Sequence, residues 1–179
     1  MMSLFLQHLD VCFYYLRKKI KHSDTIERRV TTTDSLFYLT CRETNKRYPV
    51  SDYHKVAAIS TIIAEYILGT YHCCATAWAF FDHVVMPVHV EVDEHFVLAY
   101  FDIKTRCLVV YNSLDGALHR KIAIDVVKPL AVLIPVHLEN TGFYDARNDL
   151  DFTQGPYSVP RSSSLGILVA ENVPIQEDW

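Results

Sequence analysis

Three consecutive segments rich in valine and aromatic residues constrain the fold of this chain more than any other feature. They cover residues 84–92, 95–102 and 106–111, and short polar breaks separate them. Valine and aromatic side chains favour extended backbone, and breaks this short suit hairpins rather than crossover connections. The segments therefore predict three strands joined as an antiparallel meander.

An amphipathic helix is predicted before this meander, near the start of the chain. Apolar residues recur there at helical spacing: Leu6, Leu9, Phe13, Leu16 and Ile20. The same segment ends in a basic cluster, which consists of Arg17, Lys18, Lys19 and Lys21. Cations in a last turn suit the negative end of the helix dipole. A short basic run is also the pattern of a nuclear-import signal, and that interpretation stays open.

Two further helices are predicted, one on each side of the strands. The first covers about 53–68, with Gly69 just past its end as a C-terminal cap. The second covers about 121–138, and Pro129 and Pro135 should kink or divide it.

The remaining segments complete the predicted order of elements. Residues 31–34 indicate a turn or cap, residues 142–164 a loop, and residues 166–170 a short buried strand. Helices, then a hairpin sheet, then a helix and a strand indicate an α+β domain. We expect the 179 residues to form one domain, 1–179.

Composition excludes several classes of protein. Half of the residues are hydrophobic and 21% are charged, which is enough apolar material for a core and argues against disorder. The net charge is −4 with both signs mixed along the chain, so no nucleic-acid partner is expected. No apolar run is long enough to span a bilayer, and no membrane partner is expected either.

The five cysteines do not form a recognisable framework. They are odd in number, irregularly spaced and without a Cys-x-x-Cys pair, which argues against a disulfide scaffold and a structural zinc site. Reduced thiols in an intracellular protein are the expected state.

The hairpin between the second and third predicted strands carries the main functional signal. If Ile103 and Lys104 form a two-residue turn, the pairing of apolar faces brings His95 opposite Asn112 at the open end. Opposed Cβ atoms in such a pair lie roughly 4.5–5.5 Å apart. An imidazole held by a side-chain carbonyl is the base-and-orienter half of a nucleophilic triad. A surface histidine near a strand end would fit the same spacing, so both interpretations stand at this point.

A family resemblance rests on the residues around these strands. They read Asp-His-Val-Val-Met-Pro-Val at 82–88, His-Phe-Val-Leu-Ala at 95–99, and Arg-Cys-Leu-Val-Val-Tyr-Asn-Ser-Leu at 106–114. They resemble the ubiquitin-like-protein-specific (SUMO/sentrin-type) cysteine proteases, with most similarity to the plant, transposon-associated branch. The resemblance implies a cysteine-protease-like domain with a central, mostly antiparallel sheet flanked by helices.

The resemblance also implies roles for individual residues. His95 matches the general base of the family, Asn112 its orienting acid, and Gln176 the glutamine that helps to form the oxyanion hole. Phe96 stands where the family usually has tryptophan, and Asn112 replaces the commoner aspartate. No metal or organic cofactor is implied, since thiol–imidazole chemistry needs none.

The family's nucleophile belongs to an Asp-Cys-Gly motif shortly after that glutamine. The resemblance would place this motif just beyond Trp179, so we expect a domain incomplete at its C-terminus, without the catalytic cysteine and inactive. Other candidate nucleophiles are Cys73, Cys74, Cys107 and Ser162–Ser164. Packing or loop roles are the preferred interpretation of each.

Three hypotheses about function follow. The chain is part of a deSUMOylating isopeptidase or processing protease, or a non-catalytic binding module for SUMO-like modifiers, or a decayed relic that folds poorly. The first two imply a SUMO-like or ubiquitin-like protein as partner. The protein is expected to be monomeric and intracellular, and a nuclear location would be in keeping with the family.

Overall fold

The computed structural model describes residues 4–22, 29–59, 61–72, 75–92 and 94–175. Helices and strands follow one another in the order α1 (Leu4–Lys21), β1 (Val30–Thr32), α2 (Ser35–Arg47), α3 (Tyr53–Ile59), α4 (Thr61–Leu68), β2 (His83–Val90), β3 (His95–Asp102), β4 (Cys107–Tyr111), α5 (Ala117–Asn140) and β5 (Gly166–Val169). The predicted α+β class is confirmed.

The five strands form one sheet in the order β1-β2-β3-β4-β5. The two central ladders, β2 with β3 and β3 with β4, are antiparallel as the meander predicts. The short outer strands pair in parallel, β1 with β2 and β5 with β4. The sheet is therefore mixed, with an antiparallel centre and helices packed around it.

One face of the sheet forms the core. Val84, Met86 and Val88 alternate along β2 and are fully buried, and α2 and α5 pack against this strand. Side chains at alternate strand positions share a face, so the same alternation in β3 buries Val97, Ala99 and Phe101. This core fixes the direction in which the ends of β3 and β4 present their side chains.

Helix α5 runs unbroken from Ala117 to Asn140 through Pro129 and Pro135, so the prolines, which were predicted to kink or divide it, do not divide it. Proline has no N–H, and Pro135 therefore leaves the carbonyl of Ala131 without its helical donor. Leu165 N donates to that carbonyl at 2.9 Å. The bond replaces the missing helical one and fastens the segment before β5 to α5.

Helix α1 is present as predicted, but its buried face differs from the predicted one. Leu16 is 43% exposed, whereas Arg17 is only 4% exposed. The Arg17 guanidinium donates from Nη1 to the carbonyl of Thr32 in β1 at 2.8 Å. One member of the basic cluster therefore has a structural role, because this bond holds α1 against the sheet.

The segments around α2 and β5 also differ from prediction. Thr31 and Thr32 belong to β1, while Asp34 is a cap, accepting a hydrogen bond from Phe37 N as α2 begins. Helix α2 was not predicted, and the helix predicted over 53–68 is present as α3 and α4 on either side of residue 60, which lies outside the described residues. The final strand was predicted to be buried, but β5 is an edge strand and Leu168 is 61% exposed.

None of the helices described here is both long and apolar enough to cross a membrane.

Candidate active site

The turn between β3 and β4 sets the geometry of the candidate site, and it is longer than predicted. Asp102 pairs with Cys107, so four residues, rather than two, form the turn. Ile103 is fully buried and its carbonyl accepts a hydrogen bond from the Tyr157 hydroxyl at 2.6 Å. Arg106 closes the turn in the left-handed region, with φ of 55°. Because Ile103 is buried, it does not fit a tight, exposed two-residue turn, and the turn is longer.

The longer turn shifts the register of the two strands by two residues. Ala99 pairs with Val110, whereas a two-residue turn at Ile103 and Lys104 would have paired it with Leu108. Continued by one pair, this register sets Asn112 across from Val97, so the predicted direct opposition of His95 and Asn112 is wrong. An even shift keeps every side chain on its own face of the sheet. His95 and Asn112 therefore become diagonal neighbours, a position within reach of long side chains.

The structure brings His95 and Asn112 into contact across this diagonal. Nε2 of His95 lies 3.1 Å from Oδ1 of Asn112, a hydrogen-bond distance. Both side chains are half-buried.

Two backbone contacts fix the orientation of the Asn112 amide. Leu114 N donates to Oδ1 at 3.1 Å, and Nδ2 donates to the carbonyl of His119 at 3.4 Å. A backbone N–H can only donate and a carbonyl can only accept, so the amide cannot be reversed without losing both bonds. The oxygen therefore faces His95.

This orientation determines the tautomer of His95. Because Oδ1 can only accept, Nε2 of His95 must carry the hydrogen that lies between the two side chains. In a neutral imidazole the other nitrogen, Nδ1, then keeps its lone pair. The arrangement gives His95 a defined ring orientation and one basic nitrogen, which is what a general base requires.

Ser113 also lies beside His95, and the sequence analysis assigned it no role. Its Oγ is 3.5 Å from Nε2, at the limit of a hydrogen bond. Since Nε2 already carries its hydrogen toward Asn112, that nitrogen cannot take a proton from Ser113. The geometry therefore does not support Ser113 as a nucleophile.

The described cysteines lie away from this pair. Cys41 is fully buried in the core, and burial raises the pKa of its thiol far above the usual range. Cys107 has its Sγ 3.8 Å from the carbonyl of Leu108, and burial raises its thiol pKa as well, with the charge of Asp102 acting in the same direction. Cys12 is exposed on α1. Cys73 and Cys74 lie outside the described residues.

The predicted oxyanion residue Gln176 also lies outside the described residues, which end at Ile175 in this region. A cleft of about 390 Å³ separates the loop after β4 from the segment after β5. Its lining includes Asn112, Arg120, Glu171 and Ile175. The cleft therefore extends from Asn112 toward the end of the described chain.

Apolar side chains support the pair from the core side. A small enclosed space beside His95 and Asn112 is lined by Val90, Val97, Leu114, His119, Ile122 and Ala123. Phe96, which follows His95, packs its ring 4.9 Å from the ring of His89 on the neighbouring strand β2. Phe96 thus keeps an aromatic contact but offers no indole N–H for hydrogen bonding.

A second polar cluster, which the sequence analysis did not find, surrounds Asp34. Its Oδ1 accepts a short hydrogen bond from the Tyr66 hydroxyl, and its Oδ2 lies 2.6 Å from Nε2 of His72. Burial, followed by the bond to Asp34, raises the pKa of Tyr66 above its usual range. The cluster ties the end of α4 to the start of α2. Its members are far apart in sequence, so no local pattern indicates it.

Within the described ranges, no group of three or more His, Cys, Asp or Glu residues is arranged to hold a metal ion.

Comparison with known proteins gives matches only among solved structures. No protein-family model matches the chain, and no curated protein matches it. Ten solved chains match. One is the C-terminal Ulp1 protease domain in complex with Smt3, the yeast ortholog of SUMO, at 12% identity and a TM-score of 0.49. Another is the SUMO protease Ulp1 with its catalytic cysteine oxidised to a sulfonic acid, at 12% identity and a TM-score of 0.46.

Both matches cover 90% of this chain but only 54% and 55% of the solved chains. The chain thus spans about half the length of the structures that it resembles.

Proposed function

We propose that His95 and Asn112 are the general base and its orienting partner in a Ulp-like cysteine peptidase site, which acts on conjugates of SUMO-like or ubiquitin-like proteins. The supporting observation is the fixed Asn112 amide: its oxygen faces Nε2 of His95 and leaves Nδ1 as the basic nitrogen. In this role Nδ1 takes the proton of a thiol and later returns it to the leaving amine.

Asparagine and aspartate would serve this site differently. Asn112 holds the ring and its tautomer, but it brings no negative charge to stabilise the imidazolium that forms during the reaction. We therefore propose an orienting role for Asn112 rather than an electrostatic one. Gln176 is the proposed oxyanion donor, and removal of one such donor typically lowers the rate about 10²–10³-fold.

The nucleophilic cysteine of this proposal is none of those that the structure describes. Cys12 is exposed on α1, Cys41 is fully buried with a raised thiol pKa, and Cys107 pairs with Asp102 at the opposite end of β3 from His95. The test is therefore made on the longest natural chain that contains residues 1–179. Turnover of a SUMO–peptide amide is compared with that of its His95→Ala variant. A general base contributes about 10²–10⁴-fold, and the variant should lose at least the lower figure. Equal turnover by both chains would refute the proposal.

A second candidate function is binding without cleavage. It is favoured by one observation, that the described part of the chain brings no thiol to His95. Titration of the 179-residue chain with SUMO-like proteins and with ubiquitin tests it directly. Saturable binding without turnover supports this second function, and no measurable affinity for any of these proteins counts against it.

A further inference from the structure

The two edges of the sheet are protected to different degrees. At the β1 edge, α1 lies over the strand, with the Arg17 guanidinium donating to the carbonyl of Thr32 and the Thr32 hydroxyl donating to the carbonyl of Phe13 at 3.3 Å. At the other edge, β5 pairs with β4 alone among the residues that the structure describes. One edge is therefore covered by a helix, while the other presents open backbone.

The pairing of β5 with β4 shows which backbone groups face outward. Gly166 N donates to the carbonyl of Arg106 at 3.3 Å, and Ala170 N to that of Val110 at 2.9 Å. In a parallel ladder, alternate residues direct both N–H and C=O to the neighbouring strand. Ile167 and Val169 therefore direct theirs away from the sheet. In the described ranges, no hydrogen bond to these four groups is found.

The sequence of β5 lacks the charged residues and prolines that often protect an open sheet edge from pairing with another chain. Residues 166–170 read Gly-Ile-Leu-Val-Ala, without a charged residue or a proline. Natural edge strands are commonly blunted by lysine, proline, a bulge or a covering element, because an open apolar edge pairs with other chains. An edge of this kind is suited to take up another strand.

The open edge leads to the candidate active site. Val169 and Ala170, at the end of β5, line the same cleft as Asn112. Arg120, Asp115 and Glu171 give the cleft one basic and two acidic side chains. A chain that runs along β5 would therefore end beside a cleft that Asn112 also lines.

We propose that the open edge of β5 binds an extended polypeptide segment as an added strand, and that this segment continues into the cleft beside Asn112. The backbone of Ile167 and Val169 supplies the hydrogen bonds, so recognition of this part is tolerant of side chains. The segment is substrate if the proposed peptidase function holds; strand addition itself does not depend on that function.

An extended peptide fits these observations better than a second copy of the chain. Two copies joined edge to edge through β5 would pair only four residues on each side, Gly166–Val169. They would also leave the cleft unused. A peptide uses the edge and the cleft together, and those two features adjoin at Val169.

The experiment follows amide hydrogen exchange of the 179-residue chain by NMR. The probe is a pool of capped octapeptides randomised over Ala, Gly, Ser, Thr and Val, at millimolar total concentration. We expect exchange at Ile167 and Val169 to slow by about ten-fold or more, the equivalent of one hydrogen bond. The amide of Leu168, which already faces β4, should change little. A pool N-methylated at every residue keeps the side chains but cannot donate, and it should have no effect.

A matched pair of variants tests the same point from the side of the protein. Val169→Pro removes one outward N–H, a change that an edge strand tolerates, and should abolish the effect of the peptides. Val169→Thr keeps the N–H and nearly the same shape, and should retain the effect. Unchanged exchange at Ile167 and Val169 with the unmodified pool would overturn the proposal. So would protection of these amides by self-association in the absence of peptide.

This test and that of the peptidase function can fail separately. The amide-exchange test needs no turnover, so it can be positive in a chain that cleaves nothing. Strand addition without turnover would leave this inference standing while the peptidase function fails. Turnover without protection of Ile167 and Val169 would support the peptidase function and refute strand addition.

Discussion

Nε2 of His95 lies 3.1 Å from Oδ1 of Asn112, although the two residues occupy diagonal and not opposed positions in the β3–β4 hairpin. The contact survives a register that differs from the predicted one, because a shift of two residues preserves the faces of both strands. A shift of one residue would have turned one side chain to the other side of the sheet. The parity of the register, more than its exact value, decides whether this pair can form.

The first prediction concerns the tautomer of His95. In Asn112→Ala the acceptor for Nε2 is lost, so we expect the ring to populate both neutral tautomers instead of the Nε2–H form alone. Long-range ¹H–¹⁵N NMR of the imidazole measures this directly. The same change removes the hydrogen bond from Leu114 N to Oδ1 and the one from Nδ2 to the carbonyl of His119. It should therefore lower the free energy of unfolding by about 1–2 kcal/mol.

Two control variants separate orientation from packing in that experiment. Asn112→Asp keeps an oxygen toward both His95 and Leu114, and should retain the Nε2–H form. Ser113→Ala removes only the 3.5 Å contact and should leave the tautomer unchanged. An unaltered His95 spectrum in Asn112→Ala would show that the amide does not orient the ring.

Strong local periodicity made the centre of the fold predictable. Strand β3 has the predicted bounds, and β2 and β4 differ from prediction by one or two residues at their ends. Alternation of buried and partly exposed residues is a local signal, because it depends only on the residues within each strand. For the same reason the approach of His95 to Asn112 could be predicted from two strands and a turn.

Features that depend on distant residues could not be predicted. Ile103 lies in a four-residue turn because it is buried and bonded to Tyr157, more than fifty positions later. Helix α2 was missed because its second half is polar and charged, so apolar residues do not recur at helical spacing along its whole length. The bond between His72 and Asp34 joins two loops that no sequence pattern relates.

The second prediction compares two glycines that share a left-handed conformation. Gly69 and Gly155 both have φ of 70°. A Cβ at Gly69 would lie 2.4 Å from Ala77 N, whereas at Gly155 it would meet nothing within 4 Å. Gly155→Ala should therefore cost only the conformational strain, about 1–2 kcal/mol. Gly69→Ala adds a backbone clash and should cost clearly more. Urea denaturation of both variants measures the difference, and equal losses would contradict the close approach.

The third prediction concerns acid stability. Arg147 is only 2% exposed and donates to both carboxylate oxygens of Asp149, at 2.7 and 2.6 Å. This hydrogen bonding lowers the pKa of Asp149 below its usual value. A depressed carboxyl pKa stabilises the fold above the unfolded-state value of about 3.9, and the contribution is lost as the pH falls through the lower folded-state value.

Asp149→Asn should therefore reduce stability at neutral pH and flatten the loss of stability below about pH 4. Asp145→Asn is the matched control, because Asp145 is 82% exposed and its contact with Arg161 is a loose 3.9 Å. That control should keep the acid slope of the wild type. Chemical denaturation at several pH values supplies the measurement, and identical slopes for all three proteins would rule out the Arg147–Asp149 pair as the cause.

The fourth prediction orders the reactivity of three thiols. Iodoacetamide reacts with the thiolate, so accessibility and a low pKa both speed labelling. Cys12 is exposed, Cys107 is half-buried with a raised pKa, and Cys41 is fully buried with a pKa raised further by desolvation. At about pH 8, near the pKa of a free thiol, labelling should follow that order.

Cys41 should react only when the core opens, so its rate should rise with urea while that of Cys12 stays nearly constant. Peptide mapping by mass spectrometry resolves the three sites. If Cys41 in the folded chain were labelled as fast as Cys12, the helices that cover it could not be packed as described.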